Sequence, residues 1–197
     1  TVLNGTFKLV VEMGTPPTGD TCANAVTLSE GNHPAETLDF FSNDYDGGVS
    51  TGGCSSDDGG IDRVYTVSVP NNERLTVSVS SIDPNDEDYS PTVYLIAGPD
   101  PVNCDVSASR VCLASDSEYY YYYDYRSDTV SVQYMNSTGA TLPIFVVVDN
   151  GNPSATTGNF SLDMVVGQPP AGDTCKTAET ISDGGSTSTT MGFSNNY

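Results

Sequence analysis

Short runs in which apolar and polar residues alternate dominate the chain, and they predict strands rather than helices. Residues 65–69, 75–80, 129–134 and 160–166 alternate, whereas residues 93–96 and 144–148 are continuously apolar. Alternation is typical of a strand with one buried face, and a continuous run is typical of a central strand. Apolar residues at helical spacing never extend beyond two turns; the best candidate, residues 22–28, predicts one short turn at most.

The strands are separated by clusters of glycine, asparagine, aspartate and proline at the spacing of an all-β sandwich. Pro70, Asn71 and Asn72 lie between two alternating runs and predict a hairpin turn. We therefore predict an all-β, antiparallel β-sandwich.

A long internal repeat determines the domain organisation. Residues 7–22 resemble residues 160–175, and both Cys22–Cys175 and Phe7–Phe160 are 153 residues apart (175 − 22 and 160 − 7). The match resumes at residues 41–45 and 193–197, after a one-residue deletion. Since the period is the size of a whole domain, the chain is predicted to be part of a tandem array.

The repeat predicts three segments. Residues 1–17 are the last strand and linker of a preceding repeat, residues 18–168 are a complete sandwich, and residues 169–197 begin the following repeat. Each junction contains two consecutive prolines, in residues 14–19 and 167–172. Because proline fixes φ, these segments are predicted to be semi-rigid linkers.

The odd number of cysteines is explained by the repeat. Cys175 is the counterpart of Cys22, which leaves Cys22, Cys54, Cys104 and Cys112 within one unit. Four cysteines allow three pairings, and we expect Cys22–Cys54 and Cys104–Cys112, the second closing a short loop. Cys175 is then expected to pair with the next repeat or another subunit. Disulfides indicate an oxidising compartment and therefore an extracellular or cell-surface location.

The net charge of −20, from 6 Lys+Arg and 26 Asp+Glu, limits the partners. Such a surface disfavours nucleic acid, whose binding requires Lys and Arg. No apolar stretch approaches the length of a membrane span, so membrane insertion is not expected. Catalysis has few candidates: His33 is the only histidine, lies in the loop-like residues 31–34, and belongs to no hydrolase or phosphate-binding motif. We predict that the chain is not an enzyme.

Calcium is the one cofactor that the sequence suggests, because hard carboxylate oxygens are its preferred ligands. Two acidic loops carry the candidate ligands, and neither has EF-hand spacing; the alternative for each is a solvated acidic loop. These candidates are Asp83, Asp86 and Asp88 in one loop, and Asp57, Asp58 and Asp62 in the other. Calcium bound there would make the melting temperature fall on chelation.

Two apolar surfaces are candidate interfaces. Residues 119–123 are five consecutive tyrosines, so a strand would present Tyr119, Tyr121 and Tyr123 on one face. Tyrosine suits subunit contacts, although a sugar-binding face and an ordinary wide strand are alternatives. The second surface belongs to the surplus strand of residues 6–13, whose alternating Phe7, Leu9 and Val11 could add to a neighbouring sheet.

The order of several motifs resembles a known family. Gly19-Asp-Thr-Cys-Ala-Asn-Ala25, Phe41-Ser-Asn-Asp-Tyr45, Gly60-Ile-Asp-Arg-Val-Tyr65, Phe145-Val-Val-Val-Asp149 and Gly158-Asn-Phe-Ser-Leu162 follow one another as in the bacterial pre-peptidase C-terminal (PPC-like) β-sandwich domain, in its cysteine-containing tandem form. The resemblance covers about residues 18–168. It implies a jelly-roll-like sandwich with an accessory, adhesive or spacer role, and ligands that include calcium, collagen or polysaccharide.

Two functions follow as hypotheses. In the first, the chain is a structural repeat of an extracellular bacterial filament or giant surface adhesin, with homotypic neighbours joined through linkers and shared strands. A covalent tandem array is favoured over strand donation between separate subunits. In the second, the chain is a non-catalytic accessory domain of a secreted enzyme that binds collagen, polysaccharide or another glycan or matrix ligand.

Overall fold

The computed structural model describes residues 15–45, 54, 59–83, 89–98, 104, 111–117, 129–173 and 178. These residues form one short 3-10 helix and nine strands. In chain order they are η1 (Cys22–Asn24), β1 (Val26–Thr27), β2 (Gly31–Thr37), β3 (Asp62–Val69), β4 (Arg74–Ser81), β5 (Pro91–Ala97), β6 (Cys112–Ser117), β7 (Thr129–Met135), β8 (Leu142–Asn150) and β9 (Asn159–Gly167). The single short turn predicted near Cys22 is confirmed as η1.

The strands form two sheets that pack face to face. One has five strands in the order β1-β3-β8-β5-β6, and the other has four in the order β2-β9-β4-β7. Every pairing is antiparallel except that of β1 with β3. The prediction of an all-β sandwich is confirmed. Within the described part of the chain, no helix is long and apolar enough to cross a bilayer.

The main core lies between the two sheets and follows the alternating pattern. Tyr65, Val67 and Val69 of β3 face Leu162 and other apolar residues of the four-stranded sheet, and all are buried. The intervening Ser68 is exposed, as is Asp163 on β9. One buried face per strand is the physical origin of the period of two in the sequence.

A second apolar cluster covers the outer face of the five-stranded sheet. Its members are buried strand residues together with cysteines and a tyrosine from connecting segments: Val64, Tyr94, Ile96, Phe145, Val147, Cys22, Tyr45 and Cys104. β5 and β8 are therefore buried on both faces. This double burial explains why residues 93–96 and 144–148 are continuously apolar, and β8 is central in its sheet, as predicted.

The disulfides join Cys22 to Cys104 and Cys54 to Cys112, so the predicted Cys22–Cys54 and Cys104–Cys112 pairs are wrong. The Cα atoms of the two bonded pairs are 6.0 and 5.4 Å apart, within the range that a disulfide bridges. The reason lies in the outer cluster. Cys22 and Cys104 are both buried in it, whereas Cys54 contacts its margin and lies beside the edge strand β6, which begins at Cys112. Sequence proximity does not reflect this arrangement.

The turn at Pro70 is present, but it is not a hairpin turn. Glu73 N donates to Pro70 O at 3.2 Å, and Asn72 has the positive φ of 64° that asparagine tolerates. However, β3 and β4 belong to different sheets. The turn is a corner between them, because β3 is paired with β8 along its length while β4 lies between β7 and β9.

Residues 31–34, predicted as a loop, lie in strand β2 at the edge of the four-stranded sheet. The pairing of β2 with β9 shifts register between His33 and Glu36. Pro34 cannot donate a backbone hydrogen bond, so it is confined to an edge or a bulge, and here it lies in both. Gly31 and Pro34 made this strand hard to recognise in the sequence. They also make the edge a poor site for pairing with a further strand.

Candidate functional site

Only Asp62 and Asp83, one from each predicted calcium loop, lie among the described residues. Asp62 is buried at the start of β3 in the five-stranded sheet, whereas Asp83 is exposed just after β4 in the other sheet. Asp57, Asp58, Asp86 and Asp88 lie outside the described residues. Among those described, no group of three or more His, Cys, Asp or Glu side chains is arranged to hold a metal ion.

Asp62 instead belongs to a buried polar row across three strands. Asp62 of β3 is paired with Asp149 of β8, which is paired in turn with Thr92 of β5. Directly paired residues in antiparallel strands point to the same face. The row therefore lies on the outer face of the five-stranded sheet, next to the second apolar cluster, and its members are 0%, 1% and 4% exposed.

One oxygen of Asp62 holds a connecting segment onto the sheet. Its Oδ2 accepts hydrogen bonds from the backbone N–H groups of Asp44 at 2.9 Å and Tyr45 at 2.8 Å. Its Oδ1 is buried and has no hydrogen-bond partner among the described residues. Burial raises the pKa of Asp62 from 3.8 to about 8, against the lowering effect of the two backbone donors. At neutral pH the carboxyl is therefore mostly protonated.

Asp149, on the central strand β8, bonds to the neighbouring strand β5 and to the residues just before β3. Its Oδ2 accepts from the Tyr94 hydroxyl at 3.1 Å, and its Oδ1 accepts from Gly60 N at 3.1 Å. The Tyr94 hydroxyl also contacts the carbonyl oxygen of Tyr45. A Cβ atom on Gly59 would lie 2.4 Å from Asp149 Oδ2, so glycine is required for the close approach. The row thus fixes the covering segments of the sheet.

His33 lies apart from this row. It is in β2, on the four-stranded sheet, and its Nε2 is 2.9 Å from the carbonyl oxygen of Ser29. The buried acids are on the five-stranded sheet, so the structure does not assemble His33 with Asp62 or Asp149 as an acid–base pair.

The junction sequence forms the same turn twice. We define the entry turn as residues 16–20 and the exit turn as residues 169–173. In the entry turn Asp20 N donates to Pro17 O, and in the exit turn Asp173 N donates to Pro170 O, both at 3.1 Å. Gly19 and Gly172 have positive φ values of 95° and 87°. The sequence repeat is therefore also a repeat of backbone conformation.

The exit turn is docked on the sandwich. Arg74 Nη1, at the start of β4, forms a salt bridge of 3.2 Å with Asp173 Oδ2, and the Asp173 side chain is only 1% exposed. Gln168 Nε2 donates to Glu73 Oε1 at 3.4 Å, and Pro169 is buried. The sequence analysis missed this contact, although Arg74 is one of only six basic residues and Asp173 lies in the repeated Gly-Asp-Thr-Cys motif.

The entry turn has a different environment. Its Asp20 is buried by its own unit, accepting from Ser42 N at 2.7 Å and from Ser42 Oγ at 3.4 Å. The linker residues that precede Asp20 in the chain are all exposed: Thr15, Pro16, Pro17 and Thr18. Pro16 is thus exposed where its counterpart, Pro169, is buried.

Phe40 occupies a backbone conformation that its counterpart in the repeat suits better. It has a φ of 72°, is 91% exposed, and corresponds to Gly192 by the offset of 152 that relates residues 41 and 193. Because a side chain at positive φ is strained, Phe40→Gly is expected to stabilise the fold by about 0.5–1 kcal/mol. Asn72→Gly is the matched control, since asparagine tolerates this conformation. Thermal unfolding measures both, and destabilisation by Phe40→Gly would show that the phenyl ring makes a needed contact.

The remaining predicted interface and disulfide residues lie outside the described part of the chain. They are Phe7, Leu9, Val11, Tyr119, Tyr121, Tyr123 and Cys175. The five tyrosines belong to the connection between β6 and β7, which are edge strands of different sheets.

Comparison with known proteins adds little. No protein-family model matches the chain, and no curated protein matches it. Among solved structures, a match is found to CorA, a surface-associated copper-binding protein important in copper acquisition by Methylomicrobium album BG8. The alignment has 7% sequence identity and a TM-score of 0.46, and it covers 72% of this chain and 97% of that one. At this level the likeness carries no argument about function.

Proposed function

We propose that this chain is a structural repeat unit of an extracellular polymer, in which disulfide-bonded β-sandwiches follow one another in a tandem array as in a filament or a giant adhesin. The observation that carries the proposal is the position of β9. It lies between β2 and β4 in the four-stranded sheet, and its sequence recurs in residues 6–13.

The burial of β9 indicates which residues of its sequence copy, residues 6–13, correspond to core positions. Phe160, Leu162 and Met164 are 0–1% exposed and fill the main core. Their counterparts at the same offset of 153 are the apolar residues Phe7, Leu9 and Val11. Residues 6–13 therefore have the sequence of a central strand, while the central position of this sandwich is already occupied by residues 159–167. The copy is best accounted for as the β9 of a preceding unit.

The same pairing favours a covalent array over strand donation between identical chains. β9 is paired with β4 through eight residue pairs, from Arg74 with Gly167 to Ser81 with Phe160. An incoming segment 6–13 would have to displace this strand from an identical acceptor. Of the two edges of this sheet, β2 contains Pro34 and a register shift, which disfavour donation there, and β7 is the other edge.

Two disulfides support an extracellular setting. Disulfides persist in oxidising compartments and are rare where thiols are kept reduced. The bonds Cys22–Cys104 and Cys54–Cys112 each link distant parts of one unit, with sequence separations of 82 and 58 residues. Such long closures constrain the unfolded chain strongly, which suits a bead exposed to mechanical or chemical stress.

The proposal is tested by the mass and shape of the native material. Intact mass under non-reducing and reducing conditions, with electron microscopy of the same sample, should show a reduced polypeptide well above 20.7 kDa and long thin particles. A reduced polypeptide that carries one sandwich and forms no filaments would contradict the proposal. Filaments that separate into single-sandwich chains on reduction or denaturation would instead support assembly from separate subunits.

A second candidate function, ligand binding by an accessory domain, is favoured by one cleft. This cleft of about 330 Å³ lies where β2 and β4 end, and it is lined by Ala35, Glu36, Thr37, Ile82, Asp83 and Asn159. Carboxylate and amide groups beside an exposed isoleucine are suited to hydroxyl-rich ligands. Titration calorimetry with soluble polysaccharide fragments and a collagen peptide would test it, with Asp83→Ala as the variant expected to weaken binding.

A further inference from the structure

The two junction turns have matching sequence and conformation but different surroundings. The exit turn contacts the Glu73–Arg74 corner, by which we mean these two residues between the inter-sheet turn and β4. The linker residues of the entry turn contact no such corner and are exposed. Since the two turns have the same conformation, their different exposure arises from the residues that pack, or do not pack, against their outer sides.

We propose that the exposed side of the entry turn, residues 16–18, is the contact surface for the Glu73–Arg74 corner of a preceding unit, so that neighbouring sandwiches are held in one fixed orientation. This inference rests on the proposed tandem array. It identifies the partner of the surface as a second unit with the same corner, in the contact that the exit turn already displays within this chain.

Charge complementarity selects that occupant. The chain has a net charge of −20, so most of its surface repels another copy. Arg74 is a basic side chain directed at the aspartate of a turn that recurs at both junctions. An arginine–carboxylate contact at a largely desolvated aspartate is therefore an attractive point between two units that otherwise repel.

The aspartate of each turn would be bonded from two sides. Asp20 accepts from Ser42 of its own unit, and Asp173 accepts from Arg74 of the unit before it. Ser194 is the counterpart of Ser42 in the following repeat. In a continuous array every such aspartate would thus connect the serine loop of one unit with the arginine of its predecessor.

The prolines help this contact to fix the orientation of neighbouring units, and we refer to the contact between the Glu73–Arg74 corner and the turn as the clamp. Two consecutive prolines restrict the linker to few conformations before any contact forms, so little conformational entropy is lost on docking. Pro169 is buried at the docked junction. The array is therefore expected to be a stiff rod, rather than a chain of freely rotating beads.

The test is an in-register tandem chain, in which residues 1–173 are followed directly by residues 21–197, so that the whole chain is kept and one unit is added. Donor and acceptor fluorophores are introduced through non-canonical amino acids at the exposed Gln133 of each unit. Single-molecule energy transfer should give one narrow distance distribution. Arg74→Glu in the first unit should broaden it at least twofold.

Failure of the clamp and failure of the tandem array are distinguishable. If the distance distribution has the same width with arginine and with glutamate at position 74, whether narrow or broad, the proposed clamp is wrong. Arg74→Gln, which keeps the size without the charge, must also broaden the distribution; circular dichroism and melting of both variants show whether the units remain folded. Native material with one sandwich per chain would contradict the tandem array. It would not change the result of the energy-transfer measurement.

Discussion

Replacing Cys22 and Cys104 together by alanine is expected to lower the free energy of unfolding by about 4–5 kcal/mol. The bond spans 82 residues of sequence, and the chain-entropy relation gives a stabilisation of this size for a loop of that length. Both cysteines are also buried in the outer cluster, at 3% and 0% exposure, so the smaller alanine side chains remove packing as well. Such a loss is comparable to the whole stability of many domains.

Denaturant unfolding at equilibrium measures this effect. Cys175→Ser is the matched control, since Cys175 takes no part in the two bonds, and it should leave the stability of the sandwich within about 0.5 kcal/mol. Peptide mapping of the non-reduced protein must find Cys22 linked to Cys104. Recovery of a Cys22–Cys54 peptide, or a double variant as stable as the native protein, would contradict the structure of the outer layer.

The second large effect concerns pH and Asp62. Its pKa is raised on folding from 3.8 to about 8, so the folded state holds a proton that the unfolded state has lost. The stability linked to this proton is fully present below about pH 4 and is lost as the pH rises towards 8. Each unit of pKa corresponds to about 1.4 kcal/mol, so the loss is on the order of 5 kcal/mol over this range.

Asp62→Asn should remove this dependence, because an amide keeps an oxygen for the N–H groups of Asp44 and Tyr45 and never ionises. The variant is expected to be less stable than or equal to the native protein at pH 4, and more stable by a few kcal/mol at pH 8. Asp163→Asn makes the same aspartate-to-asparagine substitution at an exposed position on β9. Urea unfolding across this pH range compares the three proteins, and parallel curves for Asp62→Asn and Asp163→Asn would refute the assignment.

Much of the sandwich is predictable from local patterns. The alternation at residues 65–69, 75–80, 129–134 and 160–166 marks strands β3, β4, β7 and β9, because each has one face in the main core. β2 is missed since glycine and proline interrupt it. Pairing with β9 stabilises it as a strand. Local sequence propensity contains no information about that long-range contact.

The candidate sites are less predictable. Asp62 stands out in the sequence as part of an acidic loop, but its burial in a row with Asp149 and Thr92 is not apparent there. The three residues come from separate strands, and only the sheet register places them in one row. Arg74 and Asp173 are likewise 99 residues apart in the chain.

The sequence by itself determined the strand-rich class and contains a repeat at an offset of 153 residues, because periodicity and repetition are properties of order along the chain. The tertiary structure decided which strands are neighbours, and with them the disulfide pairing, the corner at Pro70 and the docking of the exit turn. These depend on which residues two folded sheets and their covering segments bring within a few ångströms. Cys22 meets Cys104 rather than Cys54 because both are buried in the same outer cluster, in spite of the 82 residues between them.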